Sequence, residues 1–410
     1  MPDLGGVLSA FDLPAMDTLS PGYKLFDAHG VTELSLRADQ VMVSEAALAP
    51  SSIMRSPQPR PGGGGFDKRR DWRWIPIVEA RSAGKQWRGT PVTMMVNAAG
   101  QYKTGVWASF GFTDGAVYKQ PETLAMVGQI AKRMRNGAFI LDGGANFYTY
   151  FEDQDVELGT RICNVGRTPA TVTARATATP SDGTKPAVEK QWDVTVEPGE
   201  VKSVSTSWHP NNWPADGYSV QVELLQNGQV IDRVSHKIHV WRPKQKKEFM
   251  TIKDGELMLN GKRWRAHGVN YMPSSGIGIE DGEYFEHWIG AKSYDPEVIA
   301  RDLDHCKQMG LNSVSAFVYT GYDKDQNMLD FLRLVDAEKA REIAGRAVRG
   351  PGWWFPSGAW VSPGSLAVAL LARAGRRVHR RIGRAVERIE REGSEWRALD
   401  VAEVLSESGH

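Results

Sequence analysis

Between Val156 and Trp241 apolar and polar residues alternate with period two, in VELGTRICNVG, ATVTARATATP, WDVTVEPGEVKSVSTSW and GYSVQVELLQNGQVIDRVSHKIHVW. Successive side chains of an extended strand point to opposite faces, so each run predicts a strand with one buried face. Gly, Pro and Asn-Gly breaks separate the runs, and together they predict an antiparallel β-sandwich over residues 156–242. Asn227-Gly228 is the sharpest local signal. A two-residue hairpin needs left-handed backbone at both positions, which Gly adopts without a Cβ clash and Asn tolerates.

Upstream the pattern changes. PVTMMVN (91–97) and GVWASFGF (105–112) read as buried strands, ETLAMVGQIAKRMRNG as an amphipathic helix closed by Gly137, and AFILDGG (138–144) as a strand running into a glycine turn. Strand, helix and strand in that order predict a small α/β domain over residues 71–155. Residues 1–70 end in SPQPRPGGGGFDKRR, and the four glycines Gly62 to Gly65 predict a flexible linker closing a poorly ordered N-terminal segment.

Downstream, WRPKQKKEF is a solvated basic connector. FMTIKDGELMLNGKRWRAHGVNYMP then turns at Asp254-Gly255 and Asn260-Gly261 and enters a buried strand. DPEVIARDLDHCKQMGLN predicts a helix with Asp295 as N-cap, Pro296 at its first position and Gly310 at its end. SVSAFVY (313–319) is the next strand and QNMLDFLRLVDAE (326–338) the next helix. This order opens a (β/α)8 barrel, so residues 249–338 are expected to be its first two β/α units, incomplete. The expected fold class is multidomain, α/β plus all-β.

Composition narrows the partners. With 410 residues the chain is long enough for two or three cores. A net charge of +1 gives no global field for nucleic acid or an anionic membrane, which favours a neutral or small-molecule partner. The 14 Trp suit stacking on sugar rings, although most tryptophans fill cores. Cys163 and Cys306 fall in different segments, so neither a disulfide framework nor a zinc spacing is expected, and no metal or cofactor is implied. No apolar stretch reaches the roughly 18 residues that span a bilayer. No basic region followed by an apolar run opens the chain, so no secretory signal is read and the compartment stays open.

The hairpin ending in LNGKRWRAHGVNY, the helix DPEVIARDLDHCKQMGLNSV and the apolar strand after it resemble the first two β/α units of retaining glycoside hydrolases, in the clan typified by family five cellulases and β-galactosidases. The resemblance implies an oligo- or polysaccharide partner, no nucleic acid, and hydrolysis of O-glycosyl bonds in the full-length family. Retaining cleavage needs two carboxyl groups roughly 5 Å apart. In this clan both are Glu on strands four and seven, the first after an Asn, and no Asn-Glu dipeptide occurs here. No catalytic residue is therefore carried over, and the expected role is an inactive hydrolase fragment or a non-catalytic module binding carbohydrate or protein. Strand ends of a barrel face its pocket. They make Asn270, Tyr271, Phe317 and Tyr319 candidate substrate-binding residues, with Trp288 as a stacking platform; loop closure for Asn270 and rim packing for Trp288 are the alternatives. Many clan members carry an Arg near the end of strand two, where this chain has Ser315. Beside the sandwich fold, a spacer role is favoured over a sugar-binding one. Residues 71–155 also resemble, faintly, the closing half of glutamine amidotransferase-like domains; neither Cys163 nor Cys306 sits at the strand-to-helix turn that their nucleophile needs.

From Ala340 onward the chain has Arg but no Lys, unlike the mixed usage before it. That break marks residues 339–410 as an Arg-rich tail that is either frameshifted or foreign, or else a genuine extension. Taken as written, Val378, Ile382, Val386 and Ile389 predict one stripe of a basic amphipathic helix with a solvated charged face.

Overall fold

The computed structural model describes residues 31–44, 48, 62–100, 102–112, 114–242, 250–274, 288, 290–316 and 333–344, together with the short strands 26–27, 55–56, 352–354, 386–392 and 395–400. The chain divides into two units, one made of residues 1–244 and 266–357, the other of residues 245–265 and 358–410.

The first unit is dominated by antiparallel sheet. Strands β1 (Val31–Leu36), β2 (Trp72–Ser82), β3 (Trp87–Asn97) and β4 (Val106–Phe110) form a four-stranded sheet in that order. Helix α1 (Pro121–Arg135) lays Met126 and Ile130 onto a core with Ile77, Val92 and Met94. The chain then enters β5 (Ala138–Ala145), which belongs to another, three-stranded sheet and pairs antiparallel with Val156–Asn164. The small α/β domain expected over 71–155, and with it the amidotransferase-like reading, is therefore corrected: the strand that follows α1 leaves the sheet of β2, β3 and β4 and pairs antiparallel in another one. The misleading signal has a physical cause. Every residue of β5 is buried, with Phe139 and Leu141 in the core under α1 and Ala138 and Ile140 in the core of the sandwich. A strand between two cores reads as a continuous apolar run, like one in a parallel sheet.

The sandwich pairs that sheet, with β6 (Val156–Asn164) and β9 (Val201–Trp208), against β7 (Ala170–Pro180), β8 (Val188–Val196), β10 (Tyr218–Gln226) and β11 (Gln229–Val240) in the order β8–β7–β10–β11. The alternation is visible in β7, where Ala170, Val172, Ala174 and Ala176 point into the core. Asn227 and Gly228 turn β10 into β11 at φ 51° and 76°, with Gln226 opposite Gln229, as the sequence predicts.

The glycine-rich segment does not behave as a linker. Gly143 N donates to Gly63 O (2.8 Å) and Phe66 N to Ala145 O (2.8 Å), so residues 62–70 lie along the outer edge of β5 as a strap. A Cβ on Gly63 would stand 2.6 Å from Val234 Cγ1; close approach, not flexibility, demands glycine there. With β1 also formed, the poorly ordered segment expected over 1–70 is corrected for residues 31–44 and 62–70.

Strand β14 (Gly268–Tyr271) pairs in parallel with β15 (Ser313–Ala316) across helix α2 (Pro296–Gln308), giving one βαβ unit. The helix expected over 326–338 is replaced in its last part: Arg333–Val335 is a strand pairing Gly352–Trp354, and helix α3 covers Ala337–Ala344. Asp336 supplies the reason, since its Oδ1 accepts from Lys339 N (2.7 Å) and so caps a helix that starts after it. Residues 326–332 lie outside the described residues.

The second unit contains the predicted hairpin, β12 (Met250–Lys253) with β13 (Glu256–Leu259), turned by Asp254 and Gly255 at φ 50° and 75°. It also contains two antiparallel strands, Val386–Glu392 and Glu395–Asp400. Val386 and Ile389 therefore belong to a strand rather than to the predicted helical stripe. Gly393-Ser394 between the strands is a sequence that suits a two-residue hairpin loop, a signal stronger than a short i, i+3 spacing. Val378 and Ile382 lie outside the described residues.

Candidate functional site

A cleft of about 550 Å³ opens in the first unit between the residues after β1, the strap, β2, β11 and the start of α2. Its organising group is Arg37. Two of its nitrogens grip both oxygens of Glu297 (2.6 and 2.7 Å), Nε meets Asp39 (2.8 Å), and Nη1 reaches Glu79 (3.2 Å). Burial opposes the Arg37 charge, but hydrogen bonding and attraction from Glu297 and Asp39 outweigh it and raise the pKa above the ordinary arginine range. Burial likewise raises Asp39, and Arg37 more than reverses this, so its carboxyl sits low. The other wall carries Trp87, with the Arg301 guanidinium 3.8 Å from its ring centroid.

This arrangement commits its acidic side chains to an arginine and to a helix cap. General acid and base pairs need two groups whose environments push their pKa values apart. Glu79 and Glu297 instead share the one Arg37 guanidinium. Asp295, whose pKa is raised by burial and by repulsion from Glu297, has both oxygens committed. Oδ1 accepts from Glu297 N (2.9 Å) and Val298 N (3.4 Å), and Oδ2 from Gly62 N (3.2 Å). It is the N-cap of α2. Asp295→Ala is expected to cost about 1 kcal/mol of stability, the usual worth of such a cap, read as a lowered thermal midpoint. Among the described residues no cluster of His, Cys, Asp and Glu could hold a metal ion.

Of the candidate substrate-binding residues, Asn270, Tyr271 and Trp288 do not line this cleft. Asn270 is exposed on β14, opposite Ser315. Tyr271 and Trp288 come together, ring centroids 5.6 Å apart and edge-on, with Trp288 only 2% exposed. The Tyr271 hydroxyl donates to Asp302 (3.2 Å). Phe317 and Tyr319 lie outside the described residues. Arg37, Glu79, Trp87 and Arg301 went unremarked because no motif joins them; Arg37 and Glu297 are 260 positions apart.

No family model matches the chain. It is 36% identical over 104 residues to the tRNA 5-methylaminomethyl-2-thiouridine biosynthesis bifunctional protein MnmC of Paraburkholderia phytofirmans, covering 25% of this chain and 14% of that one. With the protein of the same name from Burkholderia multivorans it shares 45% over 71 residues, covering 17% and 11%. The chain thus spans about a seventh or less of the curated relatives it matches. Among solved structures, a putative β-galactosidase from Bacteroides fragilis is 17% identical with a TM-score of 0.23, over 48% of this chain and 27% of that one. A Bacteroides uniformis β-glucuronidase is 18% identical with a TM-score of 0.23, over 48% and 22%. A TM-score of that size does not establish a shared fold.

Proposed function

We propose that residues 71–338 are the accessory and barrel-opening part of a carbohydrate-active glycoside hydrolase, holding oligo- or polysaccharide without cleaving it. The observation that supports this most is the βαβ unit: a parallel pair, Gly268–Tyr271 with Ser313–Ala316, closed over α2. It follows the sandwich and the hairpin in the order that the resemblance implies. In this reading Asn270 bonds a sugar hydroxyl, with Tyr271 and Trp288 forming the wall behind it, and Phe317 and Tyr319 are further candidate contacts. The proposed division is 71–155, 156–242 and 249–338, except that β5 (Ala138–Ala145) joins the sandwich through its pairing with β6. Within the described residues, the acids that share a cleft are held by Arg37 or by backbone N–H groups, which leaves no carboxyl free to protonate a leaving group. The expected result on a panel of aryl glycosides and polysaccharides is no turnover above heat-inactivated protein, with retarded migration in gels containing a soluble polysaccharide. Turnover, or a lack of retardation by every polysaccharide tried, would overturn the reading.

A second reading concerns residues 339–410. Seven of the matches to proteins named MnmC run for 69 to 73 residues, and 72 residues follow Glu338. We infer that this tail carries most of the shared segment and is foreign to the sequence before it, which also accounts for the loss of Lys. The 104-residue match to the Paraburkholderia phytofirmans protein is longer than the tail, so the shared segment begins ahead of Glu338 in that alignment. So small a share of a bifunctional protein supports no expectation of tRNA modification. Amplification of source DNA across codon 338 should give no contiguous product; a contiguous in-frame product would sink the inference.

A further inference from the structure

The four outer sheet edges of the sandwich are not protected alike. The strap covers β5, through Gly63 O and Phe66 N. The two-residue strand Thr149–Tyr150 pairs with the end of β11, while Arg73 takes the Arg233 carbonyl (2.9 Å). Strand β8 carries exposed Glu189, Lys190 and Asp193, charges that discourage edge-to-edge pairing. Strand β9 has no strap and no added strand, and a single lysine. It is eight residues long and among the described residues pairs only with β6. Among the described residues, 202–208 make no backbone hydrogen bond outside that sheet. Its exposed face is Val201, Ser203, Ser205 and Ser207. Its single charge, Lys202, is tied back to the Thr195 carbonyl.

We propose that β9 is a homodimer interface, where a second copy of this chain adds its own β9 antiparallel to form a continuous six-stranded sheet across a two-fold axis. The sequence VKSVSTSW is self-complementary about Val204. With Val204 opposite Val204 of the second copy, Ser203 meets Ser205, Lys202 meets Thr206 and Val201 meets Ser207. Exposed residues meet exposed residues, so the faces of the two sheets agree. No like charges oppose each other, and serine hydroxyls on facing strands can hydrogen-bond. Whichever alternate set of β9 amides and carbonyls points outward, a two-fold axis at Val204 serves both copies equally. The facing residues favour a second copy: the strand's one charge, Lys202, meets Thr206, and small hydroxyls meet small hydroxyls. An edge of this length buries less than a standard interface of ~800 Å² per partner, so the dimer is weak and reversible, with a dissociation constant on the order of 10–100 µM. This inference is independent of the proposed function.

The test is sedimentation velocity of the full chain from about 1 to about 200 µM, a range that brackets that constant. The wild-type chain is expected to shift from monomer to dimer. S203K/S205K places lysine opposite lysine twice and is expected to weaken association at least tenfold, as is S203E/S205E. An equimolar mixture of the two variants restores dimer, because opposite charges then face each other. Circular dichroism confirms that the variants remain folded. Hydrogen exchange on the wild-type chain supplies a readout free of substitutions: outward amides of β9 should exchange at least tenfold more slowly at the highest concentration than at the lowest. A monomer throughout the range, variants that dimerise like the wild type, or concentration-independent exchange in β9 would each overturn the proposal.

Discussion

Replacing Arg73 with alanine is expected to lower the unfolding free energy of the first unit by roughly 3 kcal/mol, at the lower end of the range for breaking a buried ion pair from one side. Asp232 is 1% exposed and Arg73 5%. Arg73 Nη1 donates to both carboxylate oxygens (2.9 and 3.0 Å) and to Ile140 O (3.0 Å), while the Asp232 carboxylate also accepts from Ile140 N and Arg233 N (2.9 Å each). Removing the guanidinium leaves an anion in the core of the sandwich with only Arg133, 3.5 Å away, to balance it. The pair itself need not be a net gain, because desolvating two ions cancels much of their attraction. The double variant Arg73→Met with Asp232→Leu should therefore recover much of the loss. Urea titration of both variants decides the matter: a single-variant loss below about 1 kcal/mol would mean that solvent reaches the site.

That pair also shows where sequence reading ran out. Period-two alternation locates those strands of the sandwich that have one wet face, as Ala170, Val172, Ala174 and Ala176 in β7 illustrate. Asn227-Gly228 and Asp295-Pro296 are local devices whose backbone requirement is carried by the residues themselves, so they are legible without tertiary context. Strand β5 is legible as a strand, but its place in the sandwich is not, because it is wet on neither face. The strap was misassigned because four glycines serve flexibility and close approach equally well in sequence, and only the position of Val234 decides between them. The cleft was invisible for another reason. Arg37, Glu79 and Glu297 come from separate elements, and their pairing depends on how the sheet and α2 pack, which no spacing encodes.

The stability of the wild-type chain relative to His236→Gln is expected to fall by about 2 kcal/mol between pH 7 and pH 4.5. The strap and β5 enclose His236: Tyr148 lies edge-on to it at 4.9 Å, and a Cβ on Gly144 would collide with its Nε2. Ala145 N donates to that Nε2 (2.9 Å), so the ring is the neutral tautomer with its proton on Nδ1, which faces the Lys237 carbonyl at 3.3 Å. Protonation would cost the Ala145 bond and place a cation in a buried site near Lys68. Burial first, and Lys68 second, push the pKa down to about 3 from the ordinary 6.5. With a folded-state pKa below the unfolded one, the native chain binds fewer protons than the unfolded chain. Its contribution is therefore complete above pH 6.5 and is lost as the pH falls toward 3. Two pH units below 6.5 correspond to ~2.7 kcal/mol before allowance for partial solvent access of the ring. Gln keeps an acceptor for Ala145 N and cannot be protonated in this range. The difference between the two profiles also cancels Asp142, whose pKa is raised by burial and which therefore acts in the opposite direction. Parallel stability profiles for wild type and variant across this window would show that the imidazole is not held neutral by the fold.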